Sequence, residues 1–253
     1  MFQSPLPPFF ISNIFKDKIL IPKKIYQTNK LPQPDFAVEN IKNLNLEYEY
    51  QFFNDDDCVE FIQNFFGNDV LNVYFNMRTL QHRADLFRYC LLYEYGGVYV
   101  DIDIQLLFPI DDIISLSENS KLISVKGIGK GLGIYQGFLI SEPKNEIFLP
   151  LIDDMLKNPN PQDYAYHIEF FGEQLLKKSK LNELILNEKV QMDDGDNYFL
   201  FKEITNAQSK YEIVDKNNQL IFCGNSHGYP YEGYTKCCQS NFVSKKFSKN
   251  YFK

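Results

Sequence analysis

The chain has 253 residues, of which 44% are hydrophobic, including 17 Tyr and 23 Phe. This content excludes an intrinsically disordered protein and is enough for one domain with a sizeable core. The formal net charge of −7 argues against binding along a nucleic-acid backbone, although it is compatible with binding a single nucleotide. We expect one domain over residues 1–253, with an irregular lead-in over 1–18 and a basic tail over 244–253.

The cysteines and the apolar segments indicate the compartment. The five cysteines show no disulfide framework, and Cys223, His227, Cys237 and Cys238 lack the paired spacing of a zinc site. No apolar run is long enough to span a membrane, and prolines and charges interrupt the first 25 residues. The sequence therefore predicts a cytoplasmic protein without a transmembrane segment or a signal peptide.

Taken in order, the first half of the chain alternates strands and helices. The pattern predicts strands over 19–28 and 48–53, and a helix that is capped by Asp55 or Asp56 and runs through Phe66. Strands are also predicted over 122–125 and 134–141, and helices over 145–156 and 166–178. Such alternation predicts a mixed α/β sheet with its ligand at the C-terminal ends of the strands.

Two loops invite a binding interpretation. The segment 127–133 has glycine at every second position but no phosphate-loop motif, so it is interpreted as a turn between strands or as a loop on the acceptor side. The acidic segment 191–196 lacks the alternating ligands of a calcium loop, so it predicts a solvated hairpin turn.

The stretch 82–103 carries the strongest helix signal. Asp85 and Arg88 are three residues apart and therefore share a helix face. Gly96 and Gly97 are expected to end the helix, because glycine adopts a positive φ without a Cβ penalty. The apolar positions that recur at helical spacing and predict one buried stripe are Ala84, Phe87, Leu91 and Tyr95.

A predicted strand with two acids follows the glycines. Apolar residues alternate with Tyr99, Asp101 and Asp103, which predicts one apolar face and one face that holds both acids. Two converging carboxylates repel each other and need a cation to stay ionised together. Mg²⁺ or Mn²⁺ suits such a pair and commonly bridges carboxylates to the phosphates of a substrate. The pattern therefore predicts a site for a phosphorylated substrate.

These residues also carry a family resemblance. The chain has RAD at 83–85, RY at 88–89, LY at 92–93 and GGVYVDID at 96–103. In this order the segments resemble the signature of glycosyltransferase family 32, the DXD-motif sugar transferases, whose catalytic core is similar to that of the clostridial glucosylating toxins. The resemblance implies a GT-A-type, Rossmann-like mixed sheet flanked by helices in a single domain.

The resemblance further implies a metal-dependent, retaining transfer of a sugar from a UDP- or GDP-sugar to a glycan or other hydroxyl acceptor, as in polysaccharide biosynthesis. Asp101 and Asp103, with the late His227, are implied as ligands of Mn²⁺ or Mg²⁺. Asp85 and Arg88 are implied to contact the donor sugar and its diphosphate, and with the two acids they form the implied catalytic set. Further implied donor contacts are Tyr26, Gln27, Arg78, Tyr99 and Asp101, with Tyr26 and Asn29 standing where the family usually has His and Trp.

Two other functions compete with sugar transfer. One is a catalytically inactive nucleotide- or glycan-binding module on the same fold, since a fold does not guarantee activity. The other is a phosphohydrolase with Asp101 as nucleophile, although Gln105 occupies the position where that motif has Thr or Val.

Overall fold

The computed structural model describes residues 21–30, 35–128, 131–205 and 211–224. Within these ranges, six helices flank a sheet of ten strands. The helices are α1 (Asp35–Leu44), α2 (Asp55–Asn76), α3 (Leu80–Tyr95), α4 (Ile110–Leu116), α5 (Phe148–Lys157) and α6 (Tyr166–Ser179). The strands are β1 (Lys24–Thr28), β2 (Glu49–Phe53), β3 (Gly97–Val100), β4 (Ile104–Leu106), β5 (Leu122–Lys126), β6 (Phe138–Ser141), β7 (Lys189–Gln191), β8 (Asn197–Thr205), β9 (Tyr211–Val214) and β10 (Leu220–Gly224).

The sheet is mixed and curled, which confirms the predicted α/β architecture. Its strands lie in the order β2-β1-β3-β6-β5-β8-β9-β10-β4, and β7 pairs with β8 outside this path. Strand β1 runs parallel to β2 and β3, whereas β6 lies antiparallel between β3 and β5. Because β4 follows β3 along the chain but lies at the far end of the strand order, the sheet curls around the turn that joins them.

Both faces of the sheet are covered, which corrects the predicted one-sided strand. Tyr99 of β3 packs into the apolar cluster formed with α2, α3, α5 and α6. Val98 and Val100 face the opposite way and pack with Ile41 of α1 and Ile110 of α4. A strand between two helical layers is buried on both sides, so alternation of residue type does not mark a solvent face.

Helix α3 is buried around most of its circumference, and not only along the single stripe that the sequence predicted. It packs against α2, α5, β3 and β6, and its residues 85–92 are all buried. Tyr95 is 37% exposed, so its predicted place on the buried stripe is wrong. The predicted stop is confirmed: Gly96 follows the helix at φ 61° and Gly97 has φ 96°, a region that favours glycine.

Helix α2 begins one residue earlier and ends later than predicted. Its N-cap is Asn54, whose side chain accepts hydrogen bonds from the backbone N–H groups of Asp56 and Asp57. The Asp57 carboxylate accepts the Asn54 N–H in return, which completes a capping box. The helix continues beyond Phe66 to Asn76 through a kink at Gly67, which has φ 77°.

The later elements follow the sequence pattern more closely. Strand β5 and helix α6 lie where predicted, while β6 and α5 start later than predicted, at Phe138 and Phe148. The acidic segment 191–196 is the turn of the β7–β8 hairpin, in which the Met192 N–H donates to the Asp196 carbonyl. No helix among the described residues is long and apolar enough to cross a membrane.

Gly172 lies within α6, where helix propensity and packing predict opposite effects of an alanine substitution on the free energy of unfolding. A Cβ at this position would lie 2.1 Å from the Leu132 carbonyl oxygen. Alanine favours a helix over glycine by about 1 kcal/mol, but overpacking against backbone costs roughly 1–3 kcal/mol. We expect Gly172→Ala to lower the free energy of unfolding measured with urea. Glu173→Ala, at the next and exposed position, should leave it nearly unchanged, and a stabilised Gly172→Ala would contradict the close packing.

Candidate active site

A cavity of about 880 Å³ opens where β1 and β3 end. Its wall is formed by both ends of α2, the first half of α3, the ends of β1 and β3, the segment between β5 and β6, and the start of α6. Of the residues implicated by the sequence, Asp85, Arg88, Tyr99 and Asp101 line this cavity. Residues that are far apart in sequence therefore meet at the C-terminal ends of strands, as predicted for an α/β ligand site.

The two acids of the DXD motif lie on a turn, which corrects the predicted continuous strand. Strand β3 ends at Val100, and the Ile104 N–H donates to the Asp101 carbonyl at 3.2 Å, closing a turn over 101–104. The Asp101 N–H still donates to the Gly137 carbonyl beside β6, at 2.7 Å. The chain turns because β3 pairs with β6 whereas β4 pairs with β10. Asp101 lines the cavity, and Asp103 lies two residues further along the turn.

Arg88 holds this region together. Its guanidinium lies 3.5 Å from a carboxylate oxygen of Asp85 and 3.5 Å from one of Asp101, and only 5% of the side chain is exposed. It also donates to the carbonyl oxygens of Gln136 and Ala84. Its guanidinium carbon stands 4.4 Å from the centroid of the Tyr99 ring. With its donors engaged on several sides and 5% of its side chain exposed, Arg88 is placed to position the two acids.

The electrostatics of the acids reflect burial and mutual repulsion. Burial raises the pKa of Asp85 to about 6, even though Arg88 beside it favours the ionised form. Burial and the negative charge of Asp101 together raise the pKa of Asp103 to about 7. The folded chain thus holds an acid pair whose joint ionisation is costly without an added positive charge.

The donor set of this turn fits a hard divalent ion. Asp101 and Asp103 supply two carboxylates, and such ions complete their coordination with water and substrate phosphates. No group of three or more His, Cys, Asp or Glu side chains that could hold a metal occurs in the described part of the chain. His227 lies outside the described residues, as do Cys237 and Cys238.

The remaining predicted donor contacts lie away from the cavity wall. Tyr26 is fully buried and packs on Phe53. Gln27 supports the DXD turn from behind, because its side-chain amide donates to the Asp101 carbonyl at 3.3 Å. The Tyr50 hydroxyl donates to Gln27 in turn. Thr28 at the end of β1, with Asn29 and Lys30 of the loop that follows, lines the cavity.

Of the neighbouring arginines, Arg83 and not Arg78 reaches the cavity. Arg78 is exposed, and its backbone N–H donates to the Asn160 side chain. Arg83 lines the cavity and donates to the carbonyl oxygens of Phe75 and Met77, which closes the end of α2.

Sequence reasoning missed residues 135–137, which follow the glycine-rich loop and precede β6, as part of the cavity wall. Tyr135, Gln136 and Gly137 line the cavity, and an added Cβ on Gly137 would lie 2.7 Å from both Asp101 Oδ2 and the Tyr135 hydroxyl. Gly137 is therefore a point of close approach between the wall and the DXD turn. The available signal was a glycine inside a strand pattern, which often marks such an approach.

The glycine-rich loop has more structure than a simple turn between strands. The Gly127 N–H donates to the Gly133 carbonyl at 2.9 Å, and the Ile128 N–H donates to a carboxylate oxygen of Glu203 at 2.6 Å. Burial raises the pKa of that Glu203 carboxyl. The loop lies between β5 and β6, and Gly127, Ile128, Gly131 and Gly133 of this loop line the cavity.

Gly137→Ala tests the close approach to Asp101. The new methyl group would meet the Asp101 carboxylate and the ring of Tyr135, and the carboxylate is the easier of the two to move, so we expect a displaced Asp101 carboxylate. A displacement of about 1 Å costs roughly 10²-fold in rate when the group positions a reaction. Turnover at this site should fall accordingly, and by more than the melting temperature would explain. Gly133→Ala, whose Cβ would meet only the ends of the Glu169 and Ile168 side chains, is the control and should retain near wild-type turnover.

The comparison with protein families identifies this region. Residues 34–120 match the family model described as a glycosyltransferase sugar-binding region containing DXD motif. The match includes α2, α3, β3 and the DXD turn. This part of the chain is thus similar to the DXD sugar-binding region of glycosyltransferases, which confirms the resemblance seen in the sequence.

Two of the curated proteins that resemble this chain are mannosyltransferases. The chain is 31% identical over 132 residues to inositol phosphoceramide mannosyltransferase 3 of Schizosaccharomyces pombe, covering 49% of this chain and 37% of the relative. It is 34% identical over 121 residues to an initiation-specific alpha-1,6-mannosyltransferase of Candida albicans, covering 44% of this chain and 31% of the relative. The chain thus spans about a third of the length of these curated relatives.

Among solved structures, the PaToxG glycosyltransferase is similar over 62% of this chain and 69% of its own, with 13% identity and a TM-score of 0.47.

Proposed function

We propose that this protein is a metal-dependent, retaining glycosyltransferase of the GT-A type. It moves a sugar from a UDP- or GDP-sugar to a hydroxyl of a glycan or another acceptor. The observation that carries the proposal is the DXD turn at the wall of a cavity. There the buried guanidinium of Arg88 forms ion pairs with both Asp85 and Asp101. The names of the relatives make a mannosyl nucleotide the first donor to test.

The residues of the cavity divide the chemistry between them. Breaking a sugar–phosphate bond leaves negative charge on the departing diphosphate, and Mn²⁺ or Mg²⁺ held by Asp101 and Asp103 neutralises such charge when bound. Asp85 accepts a hydrogen bond from a hydroxyl group of the donor sugar. Arg88 keeps both acids in place, and the cavity walls hold the donor away from bulk water. We assign no protein nucleophile.

Other roles implied by the resemblance remain predictions. These are the donor contacts of Tyr26, Gln27 and Arg78, the metal-ligand role of His227, the cytoplasmic location and a place in polysaccharide biosynthesis. The contacts described above favour an indirect role for Gln27, through the backbone of the DXD turn.

Joint binding of metal and nucleotide tests the shared site. The two carboxylates repel each other, and a diphosphate supplies further oxygen ligands to an ion between them. We expect Mn²⁺ together with UDP or GDP to raise the melting temperature by more than the sum of the two separate shifts. Purely additive shifts for both nucleotides would count against one common site.

Turnover separates the transferase from its competitors. Slow, Mn²⁺-dependent hydrolysis of a nucleotide-sugar to free sugar and nucleoside diphosphate is expected from an active transferase without its acceptor. Binding without any release of sugar would instead support an inactive binding module. Release of phosphate from simple phosphomonoesters would support the phosphohydrolase.

A further inference from the structure

A pair of buried histidines lies behind the cavity wall, at the junction between α3 and α6. His82 of α3 is 4% exposed and His167 of α6 is 2% exposed, and their rings meet edge to face with the centroids 5.0 Å apart. Neither histidine lines the cavity, but residues next to each of them along the chain do. These lining residues are Arg83, Ala84 and Asp85 on α3, and Tyr164, Ala165 and Ile168 at the start of α6. The pair therefore joins two parts of the wall from behind.

Each histidine has one ring nitrogen whose contact fixes its tautomer. His82 Nε2 lies 3.5 Å from the Tyr164 carbonyl oxygen, and His167 Nδ1 lies 3.2 Å from a carboxylate oxygen of Asp154. A carbonyl and a carboxylate can only accept, so in the neutral rings these two nitrogens carry the hydrogen. The contacts thus assign the Nε2–H tautomer to His82 and the Nδ1–H tautomer to His167.

The other nitrogen of each ring disfavours protonation. His82 Nδ1 and His167 Nε2 are buried and have no hydrogen-bond partner among the described residues. A proton on either one would place an unpaired N–H and a positive charge in a buried site. Burial accordingly lowers the pKa of His167; the hydrogen bond to Asp154 opposes this effect, and the neighbouring His82 adds to it. The junction therefore favours two neutral rings.

The other titratable groups around the pair connect it to the cavity. Asp154 of α5 also accepts a hydrogen bond from the Tyr166 hydroxyl at 3.1 Å. The Tyr164 ring, which lines the cavity, stacks on His82 with the centroids 5.4 Å apart. Asp85 follows His82 by three residues and therefore shares its face of α3. A change in the histidine pair would thus displace Asp85 and Tyr164 relative to each other.

We propose that His82 and His167 are positioning residues, whose neutral rings fix the two parts of the cavity wall that carry Asp85 and Tyr164. The inference rests on the proposed function, in which Asp85 contacts the donor sugar. Neither histidine touches a substrate, and each acts through the group that its ring holds. Turnover then requires a hydrogen at the Nε2 position of residue 82 and at the Nδ1 position of residue 167, but it requires no titrating ring.

Amide side chains test which nitrogen matters. The Gln amide nitrogen lies near the position of histidine Nε2, and the Asn amide nitrogen lies near that of Nδ1. His82→Gln and His167→Asn therefore keep the donor that each partner needs, whereas His82→Asn and His167→Gln misplace it. We expect donor hydrolysis to stay within about threefold of wild type in the first two variants and to fall roughly 10²-fold in the other two. Equal rates in the matched and the mismatched variants, whether retained or lost, would overturn the proposal.

The pH dependence of stability gives a readout that needs no turnover. Because the pKa of His167 is lowered in the folded chain, the unfolded chain takes up this proton first as the pH falls below about 6.5. Wild type should therefore lose stability relative to His167→Asn between about pH 7 and about pH 5, measured by urea unfolding without metal. Asp85 and Asp103 titrate in both proteins, so their contributions cancel in the difference. A difference that does not change with pH would overturn the neutral pair.

Nitrogen NMR spectroscopy of the imidazoles separates this inference from the proposed function. At neutral pH we expect the hydrogen on Nε2 of His82 and on Nδ1 of His167, with the signals assigned through the matched amide variants. Donor hydrolysis by a wild type that shows the opposite tautomers, or a charged His167, would overturn the histidine pair alone. The expected tautomers in a wild type without any donor hydrolysis would overturn the proposed function, and with it the positioning role.

Discussion

Asp103→Asn is expected to lower metal-dependent turnover by roughly 10²-fold while the fold stays intact. In the proposed site this carboxylate is one of two protein ligands of the ion, and its loss should cost about 3 kcal/mol or more of leaving-group stabilisation, roughly 10²-fold in rate. Steady-state release of sugar from the nucleotide donor, measured across Mn²⁺ concentrations, is the readout. Asp69→Asn, at an exposed position of α2, is the matched control and should behave as wild type.

The raised pKa of Asp103 gives this variant a second signature. Its pKa is about 7 in the folded chain, against 3.8 for an unperturbed Asp, so between these values the folded state binds more protons than the unfolded state. Stability without metal should therefore fall as the pH rises from about 4 to about 7, and Asp103→Asn should relieve this loss. Metal affinity follows the opposite trend and weakens below about pH 7, because protons compete for the carboxylate. Near wild-type turnover at saturating Mn²⁺ would contradict the metal assignment.

Arg88→Ala is expected to lower stability and turnover together. Its removal leaves the buried carboxylate of Asp85 and that of Asp101 without their cation, and breaking a buried ion pair on one side typically costs about 3–5 kcal/mol. The carbonyl of Gln136 also loses a donor. Urea unfolding gives the free-energy change, and donor hydrolysis in the fraction that remains folded gives the rate.

The controls for Arg88 separate positioning from direct contact with the donor. Arg88→Lys keeps the charge but loses the planar fork and its stacking on Tyr99, so its stability should lie between wild type and Arg88→Ala. Arg78→Ala should leave stability unchanged because that side chain is exposed. Wild-type melting of Arg88→Ala with turnover lost would indicate a donor contact instead. Reduced turnover of Arg78→Ala would restore its predicted donor role.

One contiguous stretch of the sequence was enough to indicate the resemblance to glycosyltransferases. Helix α3, its glycine stop and the DXD acids form one contiguous run of local signals, and the spacing of three between Asp85 and Arg88 placed them on one helix face. Local periodicity also located most of the helices and strands, because side chains at helical or alternate spacing respond to the nearest layer of the core. The order of the motifs in this run was specific enough to indicate a DXD glycosyltransferase region.

The arrangement of the site follows from strand pairing and packing between distant segments. The acids lie on a turn because β3 and β4 join different partners, and strand pairing between distant segments leaves no local trace in the sequence. Arg88 positions the two acids because Tyr99 of β3 and the Gln136 carbonyl before β6 pack against its guanidinium. The same packing brings Gly137 against Asp101 and His82 against His167. These contacts join residues dozens of positions apart, so they depend on how the sheet curls and which layers cover it.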